Sequence, residues 1–206
     1  VLDATTAKLL RGSNLYLIGM MGAGKTTVGK QLAQALDYRF FDTDHLIETA
    51  TGQSVSKVFA SSGEAVFREW ETRTLAELAG LTRSAIATGG GIVLKPENWS
   101  YLRHGVVIWL DVSLEVLQDR LCSDQTRPLL QDSQDARELD RRLRALLDQR
   151  QHLYDQADLH IAVGANDTPD QITDRVLQSL RQACEEKAAA DAALQHLNQT
   201  RPYRIN

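Results

Sequence analysis

The sequence predicts an α/β fold, a five-stranded parallel sheet flanked by helices, on three observations. Five apolar runs of five or six residues alternate with stretches of helical periodicity along the 206 residues. Strands joined by helical crossovers pair parallel, and a parallel sheet is covered by helices on both faces. The first run leads straight into GMMGAGKTT (19–27), a glycine-rich turn before a helical pattern. The second and third runs end in DTD (42–44) and TGGG (88–91). Loops at the carboxyl ends of such strands form the site of an open parallel sheet.

In chain order, NLYLI (14–18) is the first strand, and the residues after Gly24 continue as a helix through Leu36. YRFFD (38–42) is the second strand. Ser54 caps a short helix carrying Val55, Val58 and Phe59, because its hydroxyl can accept an unpaired first-turn N–H. A longer helix follows Gly63, with Val66, Phe67, Trp70, Leu75 and Leu78 near helical spacing, and ends at Gly80. SAIAT (84–88) is the third strand and VVIWL (106–110) the fourth and most apolar. Ser113 then caps a helix through Cys122. SDQTRPLLQDSQDAR (123–137) is polar, carries Pro128, and is long enough to be a mobile lid. A charged helix covers 138–151, and DLHIAV (158–163) is the fifth strand. Thr168-Pro169-Asp170-Gln171 is a capping box with proline at the first helical position. No repeat or linker divides the chain, so one domain is expected over 1–206. Its core covers about 12–182, its lid about 123–137, and a polar C-terminal extension about 185–206 lies outside the core.

Composition narrows the function classes. The net charge is −4, whereas sequence-independent nucleic-acid binding needs a basic surface. Cys122 and Cys184 are the two cysteines and lie far apart, so neither a disulfide framework nor a CxxC metal site is expected. No apolar run approaches the roughly 20 residues of a membrane helix. VLDATTAKLLRGSN (1–14) lacks the apolar centre of a secretory signal, so the expected location is cytoplasmic.

Residues 19–26 match GxxxxGK[ST] in full, with a strand before and a helix after. The glycines let the backbone turn several N–H groups inward toward phosphate oxygens, and the helix N-terminus adds donors and positive dipole. The loop donors are Gly22, Ala23, Gly24 and Thr27; Lys25 supplies a compact charge between the β- and γ-phosphates and Thr26 a hydroxyl for Mg²⁺. ATP and Mg²⁺ are therefore the expected cofactors. Neither an NKxD nor a DxxG string occurs, which disfavours a GTPase switch.

The acceptor side is read from the other loops. Asp42 and Asp44 point the same way if their strand stays extended. One can hold magnesium through water and the other accept a hydroxyl proton. The alternative makes Asp44 a helix cap and leaves Asp42 solvated. Gly89, Gly90 and Gly91 clear room for a ligand and present N–H donors, or form a plain turn. Arg68 and Arg150 suit a carboxylate through forked hydrogen bonds, although spacing alone favours exposed salt-bridge partners. Arg127 stands where a closing lid can bring it to the γ-phosphate. VVIWLD resembles a strand closing on a magnesium aspartate, but Asp111 precedes the serine-capped helix and can simply end its strand.

GMMGAGKTTVGKQLAQAL, FFDTD, GEAVFREWE, ATGGGIV, TRPLL and LDQRQHLYDQAD occur in the order and approximate spacing of the shikimate kinases, and the chain resembles that family over about residues 12–182. The resemblance implies a P-loop, nucleoside-monophosphate-kinase-like fold with a lid. It implies transfer of the γ-phosphoryl of ATP to the 3-hydroxyl of shikimate, by a monomer with no nucleic-acid or membrane partner. By position, Asp44 holds the reacting hydroxyl, and Arg68, Arg150 and the Gly90 backbone bind the acceptor. Thr26 ligates Mg²⁺ with Asp42 behind it, Arg127 is the lid arginine, and Arg120 stacks on adenine. Glu71, one turn beyond Arg68, holds that guanidinium in place.

Overall fold

The four side chains of the strand LYLI (β1, Leu15–Ile18) are all wholly buried, as expected of a strand covered on both faces. Each contributes about 2 kcal/mol by leaving water. The structure is a computed structural model that describes residues 4–122 and 136–200. Around β1 lie β2 (Arg39–Asp42), β3 (Ser84–Ala87), β4 (Val106–Val112) and β5 (Leu159–Val163), all parallel, in the order β2-β3-β1-β4-β5. Helices α1 (Ala4–Leu9), α2 (Lys25–Leu36), α3 (Thr43–Thr51), α4 (Val55–Ala79), α5 (Pro96–Leu102), α6 (Leu114–Leu121), α7 (Ala136–Tyr154) and α8 (Pro169–Thr200) complete the described residues, with a 3₁₀ turn at Ile92–Leu94. The expected five-stranded parallel α/β sheet is the fold.

The strand order explains the site. β1, β3 and β2 are neighbours, and Ala87 pairs with both Leu17 and Asp42. The loops leaving these three strands therefore emerge side by side at one edge of the sheet. Two of them carry the phosphate loop and the DTD motif; the third carries the glycines.

Some elements follow the expectation and others depart from it. β1 begins at Leu15, one residue later than expected; the Asn14 carbonyl still accepts Val106 N at 2.8 Å, and its side-chain amide donates to Leu81 O at 2.8 Å and accepts from Ser84 N at 3.1 Å. β4 runs on through Asp111 to Val112 because β5 pairs with it to the end, so Asp111 does not end the strand. Ser113 occupies the cap position of α6 but makes no capping bond. Its hydroxyl interacts with the Glu115 carboxylate instead. The break expected at Gly63 is present: at φ 83° and ψ 167° it is non-helical, and Val55–Ala79 is two helical segments meeting at a kink. The capping box at Thr168 and Gln171 forms reciprocally. α8 continues as helix past Glu185, and residues 185–195 are exposed. α1, α3 and α5 have no counterpart in the sequence reading. The expected lid falls largely on residues 123–135, outside the described residues.

A second, smaller apolar cluster lies where α3 meets α4: Ile47, Val58 and Phe67, with Val55, Phe59 and Trp70 packed against them. It forms an apolar wall beside the carboxyl ends of β2 and β3.

Candidate active site

The phosphate loop between β1 and α2 needs its glycines. Gly22 and Gly24 have φ of 78° and 93°, a left-handed geometry that costs any other residue strain. Lys25 is buried, and its ammonium donates to the carbonyls of Gly19 and Met20, both at 2.8 Å. Thr26 Oγ1 donates to Asp42 Oδ2 at 2.6 Å. The phosphate loop and the end of β2 are thus tied together by the two groups expected near a metal.

The two aspartates share a cavity, but not by strand alternation. The strand stops at Asp42, whose Oδ1 accepts the N–H groups of Asp44 and His45 at 3.1 and 3.4 Å and so starts α3. Asp42, not Asp44, is the helix cap, and it is not merely solvated. Asp44 sits in the first turn of α3. Its carboxylate lines two cavities, and Met21 and Gly90 are the residues that line both with it. One cavity is the phosphate side, with Lys25, Thr26 and Asp42; the other is bounded by Arg68, Arg150 and the three glycines.

Both arginines are buried, not exposed ion-pair partners: Arg68 is 9% and Arg150 2% exposed. Arg150 follows Leu139 and Leu143 on the buried stripe of α7, and its Nη1 donates to Gly90 O at 3.1 Å. Arg68 bonds Glu71 at 2.6 Å and Glu64 at 2.8 Å. The glycines serve these contacts. A Cβ on Gly91 would collide with the Arg68 guanidinium, and one on Gly89 with Glu71 Oε1 and Asp44. The room at Gly89 and Gly91 is thus filled by the protein's own charged side chains. Gly89 N also donates to Thr43 Oγ1 at 2.9 Å, joining this loop to the end of β2.

Glu71 is wholly buried. Burial pushes its carboxyl up to about 7, outweighing the pull of Arg68, and the negative charge of Asp44 adds to the rise. The folded value exceeds the ordinary 4.5, so the fold holds an extra proton between about 4.5 and 7. The contribution of Glu71 to stability is therefore greatest below that window and is lost as pH rises through it. The expected result is that Glu71→Gln gains in Tm relative to the parent between pH 5 and 7.5. A Tm difference that does not change with pH would refute this.

Arg120 donates to Gly22 O at 3.1 Å and faces a third cavity beside the loop, with Ala23, Thr27 and Pro169. That location suits the nucleoside end of a ligand whose phosphates lie in the loop. Arg127 lies outside the described residues. Asp111 is engaged by His160 Nε2 at 2.9 Å. The sequence reading missed Thr43 and the apolar lining Met21, Val55, Phe59 and Phe67. Phe67 was detectable as a helical core position, but nothing local showed that this core borders a cavity.

Fold and phosphate loop together define a P-loop phosphotransferase, with a second cavity beside the loop lined by Asp44, Glu71, Arg68 and Arg150. Comparison with known proteins makes this specific. The sequence model of the shikimate kinase family matches residues 21–181. A shikimate kinase of Rippkaea orientalis is 54% identical over 186 residues, 90% of this chain and 97% of that one. One from Nostoc sp. is 52% identical over 183 residues, 89% and 99% of the two chains. The shikimate kinase from Acinetobacter baumannii, solved in complex with shikimate, superposes with a TM-score of 0.78 at 35% identity, covering 86% of this chain and 98% of that one. The chain belongs to the shikimate kinase family.

Proposed function

We propose that Asp44, Lys25, Arg68 and Arg150 carry the family's reaction in this chain, transfer of the γ-phosphoryl of ATP to the 3-hydroxyl of shikimate. The supporting observation is that Asp44 stands where the phosphate cavity and the arginine-lined cavity meet. An acceptor held by Arg68 and Arg150 through its carboxylate presents a hydroxyl to Asp44 on the side facing the loop. The acceptor oxygen bonds to the γ-phosphorus as the bond to the β–γ bridging oxygen breaks, ADP leaves, and the hydroxyl proton passes to Asp44. Lys25 and the loop N–H groups of Gly22 to Thr27 stabilise the charge on the transferring group. Arg120 takes the adenine side, and Arg127 is the added cation expected at the γ-phosphoryl.

Thr26 and Asp42 offer a hydroxyl and a carboxylate, hard oxygen donors that suit Mg²⁺. Among the described residues no cluster of three or more His, Cys, Asp or Glu forms a protein-only cage. A site completed by waters and phosphate oxygens matches how Mg²⁺ is held. When bound there, the ion neutralises phosphate charge. Among the described residues no helix is long and apolar enough to cross a membrane. We take the enzyme to act as a cytoplasmic monomer.

The test is Arg68→Lys, which keeps charge but loses the fork. The shikimate KM should rise about 10-fold or more, the scale of a lost charged hydrogen bond, with the ATP KM little changed. The ADP-release assay that measures this can be run over other hydroxy acids, where shikimate should be preferred. Equal weakening of both substrates would remove Arg68 from a dedicated acceptor role.

A further inference from the structure

Tyr154 ends α7 one turn beyond Arg150 and has no part in the reaction above. Its side chain is wholly buried, and its ring stacks on Trp109 with centroids 5.6 Å apart. Trp109 in turn stacks on His160 at 4.1 Å, its register partner across β4 and β5. The phenol is thus held by the sheet. Its hydroxyl donates to Gly90 O at 2.8 Å, the same carbonyl that accepts Arg150 Nη1 at 3.1 Å. It also lies 3.8 Å from the sulfur of Met20, in the phosphate loop.

We propose that Tyr154 is a positioning residue for acceptor binding, fixing the Gly90 carbonyl and through it both Arg150 and the Gly90–Gly91 peptide. The proposal rests on the acceptor-site reading above. A carbonyl oxygen has two lone pairs, and here two donors from one helix face occupy them. The peptide is planar, so holding the Gly90 C=O also sets the direction of the Gly91 N–H. The glycine run is pinned on either side, by Thr43 Oγ1 and Ile92 N at Gly89 and by Leu94 N at Gly91 O, so the Gly90 carbonyl between them is the part left for Tyr154 and Arg150 to hold. Arg150 depends on the same anchor, because its buried Nε has no hydrogen-bond partner among the described residues. Burial also pushes the Tyr154 pKa up, so the phenol remains a donor at every working pH.

Tyr154→Phe keeps the ring and its stack and removes one oxygen. The shikimate KM should rise about fivefold, the scale of one neutral hydrogen bond, with the ATP KM within about twofold. Arg150→Lys is measured beside it. A rise in shikimate KM for Arg150→Lys alone would overturn the Tyr154 proposal and leave the acceptor site standing. No rise for either variant would overturn the acceptor-site reading itself. Equal increases in both KM values for Tyr154→Phe would show a merely structural role and also overturn the proposal. The double variant adds a check: Tyr154 acts partly through Arg150, by way of the carbonyl both donate to, so its shikimate KM should rise by less than the product of the single effects. A full product would mean that the two residues act independently and would overturn the proposed link through Gly90.

Discussion

Lys25→Ala should abolish most turnover while the chain stays folded. The lysine charge matters most as negative charge shifts onto the leaving ADP, and losing one preorganised donor of this kind costs about 10²–10³-fold in kcat. The side chain is buried in the loop and bonds two carbonyls, Gly19 O and Met20 O, so the variant gives up some stability. Those bonds are worth about 1–2 kcal/mol, or about 3–6 °C in Tm for a domain of this size. Single-turnover phosphoryl transfer beside a thermal melt separates the effects. A folded variant that turns over at near the parental rate would remove Lys25 from the mechanism and with it the phosphate-loop assignment.

Asp44→Asn should lower kcat by about 10²-fold or more, the usual scale for losing a positioned base. The transition state is expected to be loose, so much of that loss reflects orientation of the hydroxyl. ATP binding should persist, because the loop from Gly22 to Thr27 is untouched. Asp42→Asn is the informative partner. Asparagine caps a helix about as well as aspartate, so α3 should still start where it does and the substitution isolates the charge. Its expected effect is a higher magnesium requirement, through the weakened Thr26–Asp42 pair. A magnesium titration of both variants with shikimate in excess decides between them. Excess magnesium should restore Asp42→Asn and leave Asp44→Asn impaired; the reverse would exchange the two assignments.

Much of the fold was legible because its causes are local. The five strands and most of the helices between them follow from apolar runs and helical spacing, whereas α3 and α5 were not read there. The phosphate loop was legible because glycine, lysine and threonine each answer a need met within nine residues (19–27). The DTD motif is legible as two carboxylates facing the phosphate loop, and both line one cavity, but not through the strand geometry the spacing suggests. An extended strand was assumed where Asp42 in fact ends the strand by capping α3.

The sequence by itself determined the order of elements, the phosphate cradle and the residue types at each loop. Only the tertiary structure decided that Arg68 and Arg150 are buried cations facing one cavity and that Glu71 is a buried carboxyl pushed toward neutrality. The physical reason is separation along the chain. Helical spacing says which residues share a face, but not whether that face meets solvent or a neighbour that can satisfy a charge. The neighbour of Arg150 is the Gly90 carbonyl, 60 residues away, and it is in reach only because β3 lies beside β1 and α7 packs over the loop leaving it. Burial of a charge is favourable only where such a partner waits, and that is a property of the assembled sheet.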